Sequence, residues 1–180
     1  MRSQKTIQMV QTALFSGILC VLAPFTVPVP MSPVPFSLAT FVVYLVGILL
    51  GTKQGVVCVL VYLVLGAVGL PVFSGFSGGI GVLFGPTGGY LFGYLACVAL
   101  VGRLTGAKRR LLWNVFSMTL GTLLCYFLGT AWFLVVMDGS YTIGQALLVC
   151  VVPYLVFDFV KILAAAATAE PVKRIIKNRR

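Results

Sequence analysis

The residues with the clearest chemical potential are one acid and one base inside a long apolar stretch, PYLVFDFVKILAAAA, from Pro153 to Ala167. Asp158 and Lys161 are three residues apart, so a helix would place them on one face, and Tyr154, four residues before Asp158, would join them. Each charge costs about 2.5 to 3.5 kcal/mol at the centre of a bilayer. Because the chain has only three acidic residues, an acid placed here indicates the polar anchor of a small-molecule site.

A second interpretation of this pair is purely structural. Asp158 and Lys161 would then only neutralise each other and hold their helix in register, as buried ion pairs can do. The spacing of the two residues fits both interpretations, so the elements around them have to be considered.

The composition of the chain is that of an integral membrane protein. Its 180 residues are 60% hydrophobic and only 9% charged, whereas about a quarter of the residues of a soluble domain are charged. We expect residues 1–180 to form a single membrane domain. The net charge of +10 is spread over several short links and tails instead of one stripe, so it does not indicate nucleic-acid binding.

The apolar pattern predicts an all-α protein with six membrane-spanning helices. They cover Ile7 to Ala23, Phe36 to Leu50, Val56 to Leu70, Tyr90 to Val101, Leu111 to Met137 and Ile143 to Ala169. Both termini then lie on one side, and 12 of the 13 basic residues lie there with them, the thirteenth being Lys161. Because basic links stay in the cytoplasm, both termini are predicted to be cytoplasmic.

Two uncharged links then face outward. Pro24 to Pro35 contains five prolines, which favour a stiff, extended backbone. Pro71 to Gly89 contains seven glycines and three phenylalanines, which predicts irregular backbone dipping into the bundle as a plug. A merely broken helix is the alternative for this second link.

The two links would cover a pocket that opens outward above the acid–base pair. At about 1.5 Å per residue, Asp158 is roughly 20 Å from the outer end of the last span. Such a pocket, with apolar walls and few polar points, suits a mostly hydrocarbon ligand with an anionic head and an amide-like group. Lys161 would meet the anion, and Asp158 would accept N–H donors.

The sequence contains few residues that could carry out catalysis or bind a metal ion. The chain has no histidine, and its five cysteines lie singly in apolar runs, so no metal site or cofactor is predicted. Ser74 or Ser77 with Lys161 could form a Ser–Lys dyad, which makes an intramembrane hydrolase the alternative class. No nucleotide-binding motif is present, so any ATP-driven work would need a partner.

The first span has a face of small residues. Ala13 and Gly17 form a small-xxx-small pattern, which allows another helix to approach closely. The spacing alone fits docking of a partner and packing within the protein's own bundle equally well.

Four segments together resemble the BioY family, the biotin-specific substrate-binding (S) components of energy-coupling-factor transporters. They are VPMSPVPFSL (Val29 to Leu38), GLPVF (Gly69 to Phe73), FSGGIGVLFGPTGGY (Phe76 to Tyr90) and the D-x-x-K of Asp158 and Lys161. The resemblance covers nearly the whole chain in order.

This resemblance implies a six-helix protein of the bacterial cell membrane that captures biotin from outside. The ureido and carboxylate groups of biotin complement the acid–base pair. Ligand contact is carried over onto Asp158, Lys161, Ser77, Gly78, Gly79 and Tyr90, beside the Tyr154 indicated by spacing. Another vitamin or a biotin precursor is the alternative ligand.

The resemblance also implies partners. A transmembrane coupling (T) protein and two cytoplasmic ATPases would complete uptake, with the T protein docking on Ala13 and Gly17 and the S component tilting in the membrane. Two positions depart from the family pattern. Some members have asparagine where Ser77 stands, so the ureido contact there differs, and many have glutamine where Ala39 stands, so a polar contact from the second span is absent here.

Overall fold

The computed structural model describes residues 2–28, 34–105 and 111–178. The regular secondary structure of these residues is helical apart from one short strand pair. The elements in chain order are α1 (Arg2–Leu22), β1 (Thr26–Val27), β2 (Phe36–Ser37), α2 (Ala39–Ala67), a 3₁₀ turn (Ser74–Phe76), α3 (Ile80–Phe84), α4 (Gly88–Thr105), α5 (Leu111–Val136), α6 (Ile143–Cys150) and α7 (Val152–Asn178). The prediction of a helical protein is therefore confirmed.

Five of these helices are long and apolar enough to cross a membrane. They contain the segments Gln4–Leu22, Ala39–Ala67, Gly88–Thr105, Leu111–Val136 and Val152–Val172. The helical parts of the predicted second and third spans are both in α2, which is continuous except at one residue, while residues 36–38 and 68–70 lie outside it.

That residue is Gly51, whose φ of +75° and ψ of −178° interrupt α2. Val46 and Gly55 lie on either side of it, and along a straight helix they would be about 13.5 Å apart. A Cβ placed on Gly55 would instead lie 3.4 Å from Cγ1 of Val46. The two limbs of α2, residues 39–50 and 52–67, therefore fold back against each other. A single glycine makes the reversal where the sequence predicted a turn of five residues, because glycine tolerates positive φ.

The core lies where α2 and α5 pack against α4, with α1 on the outside of α2 and α7 against α2 and α5. Branched aliphatic side chains fill the contacts between α2 and α4. The fully buried ones are Val42, Val43, Val46, Val59, Val98 and Val101. Burial of such side chains gives the bundle its rigidity, since close-packed interiors leave few alternative arrangements.

The last predicted span, Ile143 to Ala169, is wrong as a single helix. The chain breaks at Val151 (φ −122°, ψ −55°) between α6 and α7. Pro153 supplies the physical reason, because a proline has no N–H with which to continue the hydrogen bonding of α6 and is best tolerated in the first turn of a helix. Asp158 therefore lies only about 9 Å along α7 from its start, instead of the 20 Å expected.

The first link is tied together by its ends. Thr26 pairs with Ser37, and Val27 pairs with Phe36, in an antiparallel β1–β2 ladder. This agrees with the extended backbone that the prolines favour, while residues 29–33 lie outside the described part of the chain.

The second link is more ordered than the predicted plug, since it contains the 3₁₀ turn and α3. Of its three phenylalanines, Phe73 is buried, whereas Phe76 and Phe84 are exposed. The Phe73 ring meets Tyr62 edge-on at 5.4 Å and covers Gly66, where any Cβ would overlap the ring. Phe73 is thus the part of this link that enters the bundle.

The two links touch each other. The Gly75 N–H donates to the Pro24 carbonyl at 3.0 Å, and the rings of Phe25 and Phe76 meet edge-on at 5.4 Å. One continuous layer of backbone and aromatic rings therefore covers the same end of the bundle.

Candidate ligand-binding site

The predicted ion pair is present in the first half of α7. Lys161 Nζ lies 2.8 Å from Asp158 Oδ1, and the two residues are only 7% and 4% exposed. The i, i+3 spacing on a helix brings the two groups together, as expected.

Lys161 uses all of its hydrogen-bond capacity within the protein. Besides Asp158, its ammonium donates to the Ser37 carbonyl at 2.6 Å and to Thr40 Oγ1 at 2.9 Å. An ammonium has three N–H donors, so each is occupied. The charge also lies 3.9 Å from the centre of the Phe36 ring, a cation–π contact. Lys161 therefore fastens α7 to the beginning of α2.

Asp158 accepts hydrogen bonds from side chains on three helices, α2, α5 and α7. Its Oδ1 accepts hydrogen bonds from the Lys161 ammonium and, at 3.3 Å, from the Thr40 hydroxyl. Its Oδ2 accepts a hydrogen bond from the Tyr126 hydroxyl of α5. A buried carboxylate is stable only when it is paired and hydrogen-bonded, and this arrangement meets that condition.

Two neighbouring cavities lie between these residues and the links. The larger, of about 220 Å³, is lined by Val34, Pro35, Phe73, Ser74, Ser77, Val82, Thr87, Tyr90, Leu91 and Tyr94. The smaller, of about 50 Å³, shares Val34, Pro35, Tyr90 and Tyr94 and is completed by Thr40, Tyr44, Cys97, Thr122, Cys125, Tyr126, Cys150 and Tyr154. Together they approach the lower limit of about 300 Å³ for small-molecule sites.

The smaller cavity connects to the ion pair through its wall. Thr40 and Tyr126 line it and also hydrogen-bond to Asp158. Asp158 and Lys161 line neither of the two cavities themselves. The side chains of Thr40 and Tyr126 therefore separate the charges of Asp158 and Lys161 from the smaller cavity.

Three of the other predicted site residues line the cavities. Ser77 lines the larger one, and its hydroxyl donates to the Ser74 carbonyl at 2.8 Å. Tyr90 lines both, with its hydroxyl 3.0 Å from Thr130 Oγ1. Tyr154 lines the smaller one and donates to the Val34 carbonyl, which ties α7 to the first link.

Gly78 and Gly79 line neither cavity. A Cβ on Gly78 would overlap the Leu70 carbonyl, and the Gly79 N–H donates to the Gly66 carbonyl at 2.7 Å. In the structure these glycines hold the second link against the end of α2, and ligand contact by them stays a prediction.

The sequence analysis missed several polar residues of the cavity wall. Three pairs of polar wall residues are spaced i, i+4 within apolar helices, and only Tyr90 among them was predicted: Thr40 with Tyr44, Tyr90 with Tyr94, and Thr122 with Tyr126. Two of the pairs are joined across helices, since Tyr44 Oη lies 2.6 Å from Thr122 Oγ1. The recurrence of a tyrosine with a hydroxyl residue one turn away, inside membrane spans, was the available signal.

The two predicted docking residues face away from the bundle. Ala13 lines a groove of about 500 Å³ between α1 and the second limb of α2, and a Cβ on Gly17 would meet nothing within 4 Å. Packing of α1 within the protein uses Ser16 instead, whose hydroxyl lies 3.2 Å from the Cys58 carbonyl. The internal-packing interpretation of Gly17 is therefore wrong.

The Ser–Lys dyad is not assembled. The partners of Lys161 described above include neither Ser74 nor Ser77, and the Ser77 hydroxyl is bonded within its own turn.

Comparison with known proteins identifies close relatives over nearly the full length. Residues 1–178 match the BioY family model. The biotin transporter BioY of Thermotoga maritima is 38% identical over 168 residues, covering 93% of this chain and 96% of that protein. The probable biotin transporter BioY of Pyrococcus horikoshii is 37% identical over 158 residues, covering 88% of this chain and 91% of that protein.

A solved structure has the same fold. The crystal structure of the S-component for biotin from an ECF-type ABC transporter superimposes with a TM-score of 0.89 at 23% sequence identity. The superposition covers 97% of this chain and 94% of that one.

Proposed function

Because this chain belongs to the BioY family, we propose that it binds biotin and is the substrate-specific component for biotin uptake through an energy-coupling-factor transporter. The observation that carries this proposal is the placement of a covered, mostly apolar cavity directly against a buried acid–base pair. The two relatives matched over about nine-tenths of the chain are named as a biotin transporter and a probable biotin transporter.

The chemistry of biotin suits the polar groups at this site. Its ureido ring carries two N–H donors, one of which Asp158 would accept, and its hydrocarbon tail ends in a carboxylate, which Lys161 would meet. Ser77, Tyr90 and Tyr154 would form the cavity wall around the ligand. The backbone of Gly78 and Gly79 would hold the second link in place above it.

Binding at Lys161 requires an exchange of partners. All three of its donors are occupied, two of them by the neutral Ser37 carbonyl and Thr40 hydroxyl. A ligand carboxylate would replace one of these neutral acceptors. The exchange is favourable because a hydrogen bond between two charged groups is about twice as strong as one to a neutral group.

We further propose six crossings of a bacterial cell membrane by the single domain of residues 1–180. The reversal at Gly51 supports this count, since the two limbs of α2 would cross once each beside α1, α4, α5 and α7. An even number of crossings puts both termini on one side, and the basic residues gathered there favour the cytoplasm. The two links would then face outward.

Uptake would also need partners, for which we propose a transmembrane T protein and two cytoplasmic ATPases. The groove along α1 supports a docking helix, because it is apolar in its middle and polar at one end, at Lys5, Gln8 and Gln54. Exposed small residues such as Ala13 and Gly17 let a partner helix approach closely.

Calorimetry of the detergent-purified protein with biotin tests the proposed function. We expect saturable binding with one ligand per chain. A folded protein that releases no heat with biotin would overturn the proposal and direct the search to another vitamin or a biotin precursor. Steady hydrolysis of a biotin ester or amide by the isolated chain would instead indicate an enzyme.

Docking is tested with Ala13→Trp. The large ring would fill the groove, so co-purification with a T protein is expected to be lost while biotin affinity stays unchanged. Leu14→Trp is the matched control, because Leu14 is exposed on α1 but does not line the groove. Retention of the T protein by Ala13→Trp would place the docking surface elsewhere.

A further inference from the structure

Tyr126 is the residue through which α5 reaches the buried charges. Its ring lines the smaller cavity, and its hydroxyl donates to Oδ2 of Asp158. Thr40 also lines this cavity and contacts Asp158, but at the other oxygen and at 3.3 Å. Tyr126 is therefore positioned to act on the carboxylate and on a bound ligand at once.

The pattern of hydrogen bonds shows where Asp158 can accept another donor. A carboxylate has about four lone-pair positions, two on each oxygen. Lys161 and Thr40 occupy both positions on Oδ1, whereas Tyr126 occupies one position on Oδ2. The remaining acceptor position therefore lies on Oδ2, the oxygen that also accepts from the Tyr126 hydroxyl.

The Tyr126 hydroxyl also reduces the negative charge that a ligand would meet. A hydrogen bond donated to Oδ2 draws electron density from this oxygen, and in a buried site the effect is not screened by water. Without this hydrogen bond, the orientation of Oδ2 would not be fixed, and the oxygen would carry more negative charge. The site would then bind a cationic head group more tightly, relative to a neutral one, than it does with this hydrogen bond in place.

We propose, on the basis of the proposed function, that Tyr126 is a positioning and specificity residue of the ligand site. It fixes the orientation of Asp158 Oδ2 behind the cavity wall and tunes it for a neutral, urea-type head group with N–H donors, against a cationic, guanidinium-type one.

The experiment compares biotin with 2-iminobiotin, which replaces the urea oxygen by nitrogen and is cationic near pH 7. Tyr126→Phe is expected to weaken biotin binding roughly 10- to 100-fold, the range of one hydrogen bond to a charged group. Binding of 2-iminobiotin is expected to weaken much less, so the ratio of the two affinities shifts toward the analogue by roughly tenfold or more. A merely structural role would weaken both ligands equally and leave the ratio unchanged.

Tyr44→Phe is the matched control. Tyr44 lines the same cavity, but its hydroxyl is bonded to Thr122 instead of a carboxylate, so any loss of affinity is expected to be equal for both ligands. If Tyr126→Phe does not fold, 3-fluorotyrosine at position 126 keeps the hydroxyl, makes it a stronger donor and is expected to shift the ratio toward biotin.

The outcomes separate the two proposals. Failure of the unsubstituted protein to bind biotin overturns the proposed function. Biotin binding by the unsubstituted protein, with the same affinity ratio in Tyr126→Phe and in the fluorotyrosine variant, overturns only the role of Tyr126.

Discussion

Asp158→Asn is expected to reduce biotin affinity by about 30-fold or more. The substitution keeps the shape of the side chain but removes its charge, leaving Lys161 as an uncompensated buried cation with mostly neutral partners. Losing one partner of a buried charge pair costs about 2–5 kcal/mol in binding, and each 1.4 kcal/mol is a factor of ten. Calorimetry with biotin measures the loss directly.

Asp138→Asn is the control for this prediction. Asp138 is the exposed acid in the turn after α5 and takes no part in the hydrogen bonds described for the network, so both affinity and melting temperature should stay unchanged. Unchanged biotin affinity in a folded Asp158→Asn protein would mean that the ion pair serves only to hold α7 in place.

Lys161→Met is expected to lower stability most strongly of the single changes, and combining it with Asp158→Asn is expected to recover most of that loss. The single change leaves the buried carboxylate of Asp158 without its cation, which lowers the free energy of unfolding by about 3–5 kcal/mol. Removing both charges leaves no unpaired ion. Thermal unfolding in detergent measures both variants. The double variant should remain unable to bind biotin, which separates binding from folding.

Two results would contradict this prediction. If the double variant is no more stable than Lys161→Met, the bonds from Lys161 to Ser37 and Thr40 matter more than the charge pair. If it binds biotin normally, the pair is not part of the ligand site.

A ligand without a carboxylate tests whether Lys161 binds the carboxylate of biotin. Biotin methyl ester lacks the carboxylate, so Lys161→Met is expected to weaken biotin more than the ester. Equal losses for the two ligands would indicate that Lys161 acts only by supporting Asp158.

The class of the protein, its helices and the ion pair could all be predicted from local information. Hydropathy and the scarcity of charge are properties of composition, and they predicted a helical membrane protein. Asp158 and Lys161 meet because residues three apart on a helix share a face, whatever surrounds them. The two uncharged links were recognisable from proline and glycine alone, and their role as a common cover followed from their being on one side.

Local breaks were harder to predict. A turn of five residues was expected between the second and third spans, yet Gly51 reverses the chain alone. Pro153 was visible in the sequence, but a proline is compatible with both a kinked helix and a new one, and only the backbone around Val151 decides between them.

Tertiary structure alone decided what the ion pair touches and which surface it serves. The Ser37 carbonyl is 124 residues from Lys161 along the chain, and Tyr126 is 32 residues from Asp158. Such contacts depend on how each helix is rotated about its axis and how closely it packs, which residue spacing does not specify. The sequence by itself determined that two costly charges would be buried and paired. The packing of α2, α5 and α7 decided that Lys161 would be fully occupied and that the open position of Asp158 would lie beside Tyr126, because hydrogen-bond geometry is fixed only when all three helices are in place.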